Sequence, residues 1–223
     1  MVKPRAFVYI DGFNLYYGAL KGTHEKWLDL QAWCALLLPQ HDVRGIVYCT
    51  ARVTSRPDDP DSHVRQDAYL RALGTLSAVS VLEGTFKVSK TRMRRVSSAT
   101  CPCCALSPAG CQCCRANTVE VTKTEEKGSD VHLSVRLVAD GYADRYDEAL
   151  VVSNDSDIQP AVDIVRSDLG KRVIVANPRN TKHPALIGDE RRRVGRPALE
   201  RSQLPTVVLD AAGRQITRPH RWS

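Results

Sequence analysis

Residues 149–176 read ALVVSNDSDIQPAVDIVRSDLGKRVIVA. The run Ala149–Ser153 is apolar and β-branched without polar alternation, as a strand buried on both faces requires. A polar loop, Asn154-Asp155-Ser156-Asp157, leads into a helix over Ile158–Gly170, with Gly170 placed as its C-terminal cap. Lys171–Ala176 is again apolar and reads as the last core strand. Strand, helix and strand in that order, with strands apolar throughout, specify a parallel sheet carrying helices on both faces.

The same grammar extends upstream. Ala6–Ile10 (AFVYI) is a buried first strand that ends at Asp11-Gly12. Helical segments follow over 14–21 and over Leu28–Leu38, the second stopped by Pro39. Gly45–Ala51 is the next strand, and Arg56–Asp61 is a loop. A helix is expected from Ser62 to Leu76, with an apolar stripe of Val64, Ala68, Leu70, Leu73 and Leu76. Val79–Val88 is a third strand, and the pattern breaks at Ser89. Lys90–Asn117 turns basic, then Cys-rich, then polar, and reads as an insertion. Order resumes with a strand at Thr118–Lys123 and a helix starting at Asp130. The division expected is a core over 1–180, an insertion at 89–117 and a basic extension over 181–223 holding Arg191-Arg192-Arg193, Arg196 and Arg201.

Bulk properties narrow the function classes. The 223 residues are 43% hydrophobic and 26% charged, enough for one domain with decorations. Lys plus Arg number 32 against 25 Asp plus Glu, a net charge of +7 that favours a polyanionic partner. Aromatic residues are 6% of the chain, which speaks against stacking platforms of the OB or RRM kind. There is no secretory signal and no run approaching the roughly 18 apolar residues of a membrane helix, so a cytoplasmic location is expected. Thiols stay reduced there, and the eight cysteines need an explanation other than disulfides.

Functional groups of open parallel sheets collect at the carboxyl ends of strands. Asp11 ends one strand, Asp155 and Asp157 follow another, and Asp130 stands at a helix start. Any one of them alone reads as a turn or a helix cap. Together they bring carboxylates from three chain segments to one sheet edge. Carboxylates so placed repel one another unless protonated or neutralised by a cation. Mg²⁺ and Mn²⁺ prefer oxygen ligands and retain waters and substrate phosphates. Beside a basic surface, such a cluster points to metal-assisted attack of water on a phosphodiester.

The segments VYIDGFNLYYG, EEKGSDVHLSVRLVADGY, ALVVSNDSDIQPAV and KRVIVANP resemble the NYN domain (LabA-like branch) of the PIN-like nuclease superfamily. The resemblance covers most of 5–180 with the insertion embedded, and the tail SQLPTVVLDAAGRQITRPHRW shares it. It implies a PIN-like three-layer sandwich with a mainly parallel sheet, binding divalent metal and cleaving RNA. By the same resemblance Asp11, Asp130, Asp155 and Asp157 are the acidic positions and Asn14 is the Asn beside the first of them. Ser153 and Lys127 match substrate-side positions. Asn154 stands where a Gly is frequent, a departure in the loop. The fold family also suggests a homodimer. Two other functions stay in view: a non-catalytic RNA-binding protein of the same fold, and an NADH-dependent hydroxylase of 6-hydroxy-3-succinoylpyridine, a label carried by some similar proteins. No GxGxxG fingerprint for a dinucleotide supports the latter.

Within the insertion, Cys101 and Cys104 form one CxxC pair and Cys111 and Cys114 another. Four thiolates suit structural Zn²⁺, although the link between the pairs is short for a zinc ribbon; a redox or disulfide cluster and an unmetallated loop are the alternatives. Cys34 and Cys49 lie in apolar runs and read as core. Arg92, Arg94 and Arg95 flank the module and suit a grip on the nucleic-acid backbone, or simply a solvated loop.

Overall fold

Alternation along Arg5–Asp11 (β1) sets the two halves of the core. Ala6, Val8 and Ile10 enter one apolar cluster, while Tyr9, with partly buried Phe7, enters the other. The computed structural model describes residues 2–55, 58–94 and 118–222. The remaining strands of the main sheet are β2 (Asp42–Ala51), β3 (Val79–Arg94), β4 (Thr118–Lys127), β5 (Glu148–Val152), β6 (Arg172–Asn177) and β7 (Glu190–Arg193). Their order is β4-β3-β2-β1-β5-β6-β7, and every pairing from β3 through β7 is parallel.

The helices are α1 (Gly12–Leu15), continued by a π-helical turn over Tyr16–Leu20, α2 (Leu30–Leu37), α3 (Ser62–Leu73), α4 (Ser129–Tyr142), α5 (Gln159–Ser167) and α6 (Arg196–Arg201). Leu30, Trp33 and Cys34 of α2, Leu70 and Leu73 of α3, and Leu199 of α6 pack with Val8 and Ile10. Leu133 and Leu137 of α4, with Ala161, Val162 and Val165 of α5, pack on the opposite face with Tyr9, Cys49 and Val151. The result is an α/β fold with helices on both faces of a seven-strand, mostly parallel sheet, consistent with a PIN-like sandwich. Burial docks α4 more than propensity does. Its interior carries β-branched residues and Gly141, whereas full burial of Leu133 and Leu137 is worth about 1.5–3 kcal/mol each.

Several boundaries differ from the sequence reading. β3 does not break at Ser89 but runs to Arg94, because strand pairing is carried by the backbone ladder and tolerates polar side chains. α3 stops at Leu73 rather than Leu76, and Val64 is exposed, outside the expected stripe. Lys171–Ala176 is not the last core strand: Arg191-Arg192-Arg193 lies in β7, at the sheet edge. Charge there blunts an edge that would otherwise invite pairing. Beyond α6, Val207–Leu209 (β8) and Gln215–Thr217 (β9) form an antiparallel hairpin. The tail is fastened to the α2 side: Trp27 Nε1 donates to the Pro205 carbonyl at 2.8 Å, the Leu204 N–H donates to the Trp27 carbonyl at 2.9 Å, and Ile216 is buried.

Two compact units emerge, Met1–Thr85 with Lys127–Ser223, and Phe86–Glu126. The paired cysteines Cys101, Cys104, Cys111 and Cys114, together with Arg95, lie outside the described residues. Arg92 is exposed on β3 in the smaller unit, and the backbone of Arg94 ends that strand. Cys34 and Cys49 are fully buried, as expected. No helix among the described residues is long and apolar enough to cross a membrane.

Candidate active site

β1 lies between β2 and β5, so the chain winds outward from it in two directions. The carboxyl ends of β1 and β5 flank that switch point, where open sheets leave a crevice. Asp11 closes β1 and serves as N-cap of α1: its Oδ1 accepts the Asn14 N–H at 2.9 Å. Its Oδ2 accepts from Asn14 Nδ2 at 2.8 Å and from the Ser153 hydroxyl at 3.0 Å. Ser153 Oγ in turn accepts the Asp155 N–H at 3.1 Å, which ties the loop after β5 to the end of β1. Asn14 Oδ1 accepts the Asn154 N–H at 3.3 Å, and Asn154 Oδ1 accepts the Ala185 N–H at 3.0 Å.

Asp130 comes from the first turn of α4, where the helix N-terminus favours a negative charge. The turn before it depends on Gly128, whose φ of +101° is left-handed and strains any residue with a Cβ. One oxygen each from Asp11, Asp130 and Asp155 falls within 4.8 Å of the others. Burial pushes the Asp11 carboxyl above its usual range; hydrogen bonds from Asn14 and Ser153 oppose this, and the Asp155 charge adds to it. A bound cation relieves that cost, and three hard oxygen donors suit Mg²⁺ or Mn²⁺ rather than a thiophilic metal.

Of the sequence candidates, Asp11, Asn14, Asp130, Ser153 and Asp155 thus converge. Asp157 stands outside the three-carboxylate group; it is exposed, and its N–H donates to Asp155 Oδ1 at 3.0 Å. Ser153, read as a substrate contact, is instead fully buried with its hydroxyl committed to Asp11 and Asp155. Lys127 is exposed at the end of β4, three residues before Asp130. Sequence reasoning missed the packing beneath Asp11. A Cβ on Gly12 would sit 2.7 Å from Tyr48 Cζ and 2.9 Å from the Cys49 carbonyl oxygen. No spacing in the chain announces that contact, which arises from the register of β1 with β2.

Fold and site define a parallel α/β protein with an acidic triad at its switch point. A family model described as the NYN domain matches residues 105–189, the segment that contributes β4, α4, β5, α5 and β6 and with them Asp130 and Asp155. The chain is also 29% identical, over 98% of its length and 75% of the relative, to 6-hydroxy-3-succinoylpyridine 3-monooxygenase HspA of Pseudomonas putida (strain DSM 28022 / S16). A crystal structure of a protein of unknown function, VPA0982, from Vibrio parahaemolyticus RIMD 2210633 aligns at 14% identity with a TM-score of 0.47, covering 87% of this chain and 94% of that one.

Proposed function

We propose that this protein is a metal-dependent endoribonuclease of the NYN, LabA-like type, hydrolysing RNA phosphodiester bonds at the Asp11–Asp130–Asp155 site. The observation that carries the reading is the meeting of three carboxylates from β1, α4 and the loop after β5 within 4.8 Å of one another. These oxygens would hold Mg²⁺ or Mn²⁺, which would supply Lewis acidity to a bound water and offset charge on the phosphate. Asn14 and Ser153 hold the Asp11 carboxylate in place, so little reorganisation is needed when substrate arrives. Asp157, exposed in the single 3-10 turn Ser156–Ile158, orients the attacking water. Lys127 and the +7 net charge draw in the phosphate backbone. Arg92, Arg94 and Arg95 are the further phosphate contacts of this reading, and Cys101, Cys104, Cys111 and Cys114 the candidate ligands of a Zn²⁺.

The test is cleavage of labelled RNA and DNA with and without Mn²⁺, comparing wild type with Asp11→Asn. Metal-dependent RNA products from wild type alone are expected; equal product from both proteins sinks the reading. A second reading, hydroxylation of a pyridine, is favoured by the name of the Pseudomonas relative. It demands that NADH and dioxygen be consumed with 6-hydroxy-3-succinoylpyridine and be indifferent to Mn²⁺.

A further inference from the structure

The chain has three Phe, seven Tyr and three Trp, and six of these line one cavity of about 220 Å³. They are Phe13, Tyr16, Tyr17, Tyr48, Tyr69 and Trp222. For scale, a dry cavity of about 150 Å³ takes a benzene ring. The walls are set by the fold. Tyr69 is buried and anchored by its hydroxyl to the Leu28 carbonyl at 2.9 Å, with the Tyr48 and Trp222 rings edge-on to it at 6.3 and 6.0 Å. Tyr17 is 44% exposed, with Lys21 Nζ 5.0 Å from its ring centroid.

The cavity also has a cationic side. Lys21, Lys26 and Arg65 line it, with Asp58 and Asp59 as the acidic members of the lining. Lys26 donates to the Thr23 carbonyl and pairs with no carboxylate among the described residues. Arg65 and Arg221 are both matched to Asp59, at 2.5 and 2.9 Å. Burial and the neighbouring Arg221, Arg65 and Arg218 lower the Lys26 pKa, against the pull of Glu25, so an anion there is welcome. Gly12, which follows Asp11 in the chain, is part of the lining, and the Asp11 charge is felt at the wall residue Tyr48.

We infer that this cavity receives a nucleotide of the substrate, its base against the tyrosine and tryptophan rings and its phosphate toward Lys21 and Lys26. The inference deepens the ribonuclease reading and rests on it. An aromatic ring joined to an anion is the chemistry that the lining matches. Stacking of that kind is tolerant of base identity, because every base has a π-face. The site therefore selects an unstacked, single-stranded nucleotide rather than a sequence.

The experiment is titration of adenosine and uridine 5′-monophosphate, and separately of nicotinate, in EDTA, followed by tryptophan fluorescence. Wild type, Tyr17→Ala, Lys21→Ala and Asp168→Asn are compared, with Tyr17→Leu to keep apolar volume should Tyr17→Ala fail to fold. Both nucleotides should bind saturably and weaken roughly tenfold in Tyr17→Ala and in Lys21→Ala, the scale of one lost base stack. Asp168→Asn, at an exposed position outside the lining, should bind them as wild type does. No saturable nucleotide binding, or binding unmoved by both variants, overturns the inference. Nicotinate bound in preference to both nucleotides also overturns it and moves the cavity to the pyridine reading. Metal-dependent cleavage without nucleotide binding sinks the cavity alone. Nucleotide binding without metal-dependent cleavage supports the cavity and counts against the ribonuclease.

Discussion

Asp11 does two things at once: it caps α1 and it offers an oxygen to the acidic triad. The same is true of Asp155, which accepts the Asp157 N–H while facing Asp11 and Asp130. Capping and the proposed ligation are therefore not competing explanations here; the cap fixes a rotamer that ligation would need. Ser153 is a positioning residue on this view. Replacing it with Ala should lower Mn²⁺ affinity and cleavage by about 10–100-fold, as the loss of a hydrogen bond behind a metal ligand does, while Asp11→Asn costs more than that. Equal losses for the two, measured by Mn²⁺ titration of RNA cleavage, would deny Ser153 a supporting part. Asp157→Asn should leave Mn²⁺ affinity near wild type and reduce turnover, because its side chain stands outside the triad. Gly12 tests the packing below. Its added Cβ would meet the Tyr48 ring at 2.7 Å and backbone at 2.9 Å, neither of which yields easily. Gly12→Ala should destabilise by about 1–3 kcal/mol, read as a lower urea midpoint at unchanged slope.

Apolar β-branched runs made β1, β2, β5 and β6 legible from the chain alone, since strands buried on both faces leave no other reading of such runs. The carboxylates at their ends were legible for the same reason, because a strand end fixes where its next side chain can point. What escaped was structure held by backbone pairing rather than side-chain pattern: β7 in the run Arg191-Arg192-Arg193, and the polar half of β3 beyond Ser89. The six-ring cavity escaped too, because its residues come from α1 and the turn after it, β2, α3 and the tail, and 6% aromatic content looked too sparse for stacking. The entry to β1 carries an electrostatic prediction. Arg5 Nη2 contacts Asp147 Oδ1 at 2.6 Å, fastening the start of β1 to the turn before β5. Those hydrogen bonds hold the Asp147 carboxyl down at about 2. A depressed folded-state pKa stabilises above the unfolded value, near 4, and that gain is lost as pH falls toward about 2. Asp147→Asn should thus be less stable than wild type at neutral pH, modestly because both side chains meet solvent, and the gap should close between those two values. A gap independent of pH in urea titrations would assign the loss to packing.

At the scale of the molecule, sheet topology decides where the three carboxylates meet. β1 is central; its neighbour on one side, β2, is the next strand in the chain, whereas its neighbour on the other, β5, begins only at Glu148. Three carboxylates are therefore assembled only once the long-range pairing of β1 with β5 has formed, and folding brings their charges together at a cost. That cost links metal to stability. A cation that binds the folded triad and not the open chain raises stability by about 2.7 kcal/mol at a hundredfold excess over its dissociation constant. For a chain of this size each kcal/mol moves the melting temperature by roughly 2–4 °C. Wild type should accordingly melt about 5–10 °C higher in saturating Mn²⁺ than in EDTA, on the same scale. Asp11→Asn and Asp155→Asn should show little of the shift, since each removes one of three ligands. Running the comparison with Mn²⁺ rather than Zn²⁺ keeps the cysteines of the insertion out of the result, because thiolates favour the softer ion. A Mn²⁺ shift retained in full by Asp11→Asn would mean that the ion binds elsewhere, and the triad would then be an acidic cluster and not a metal centre.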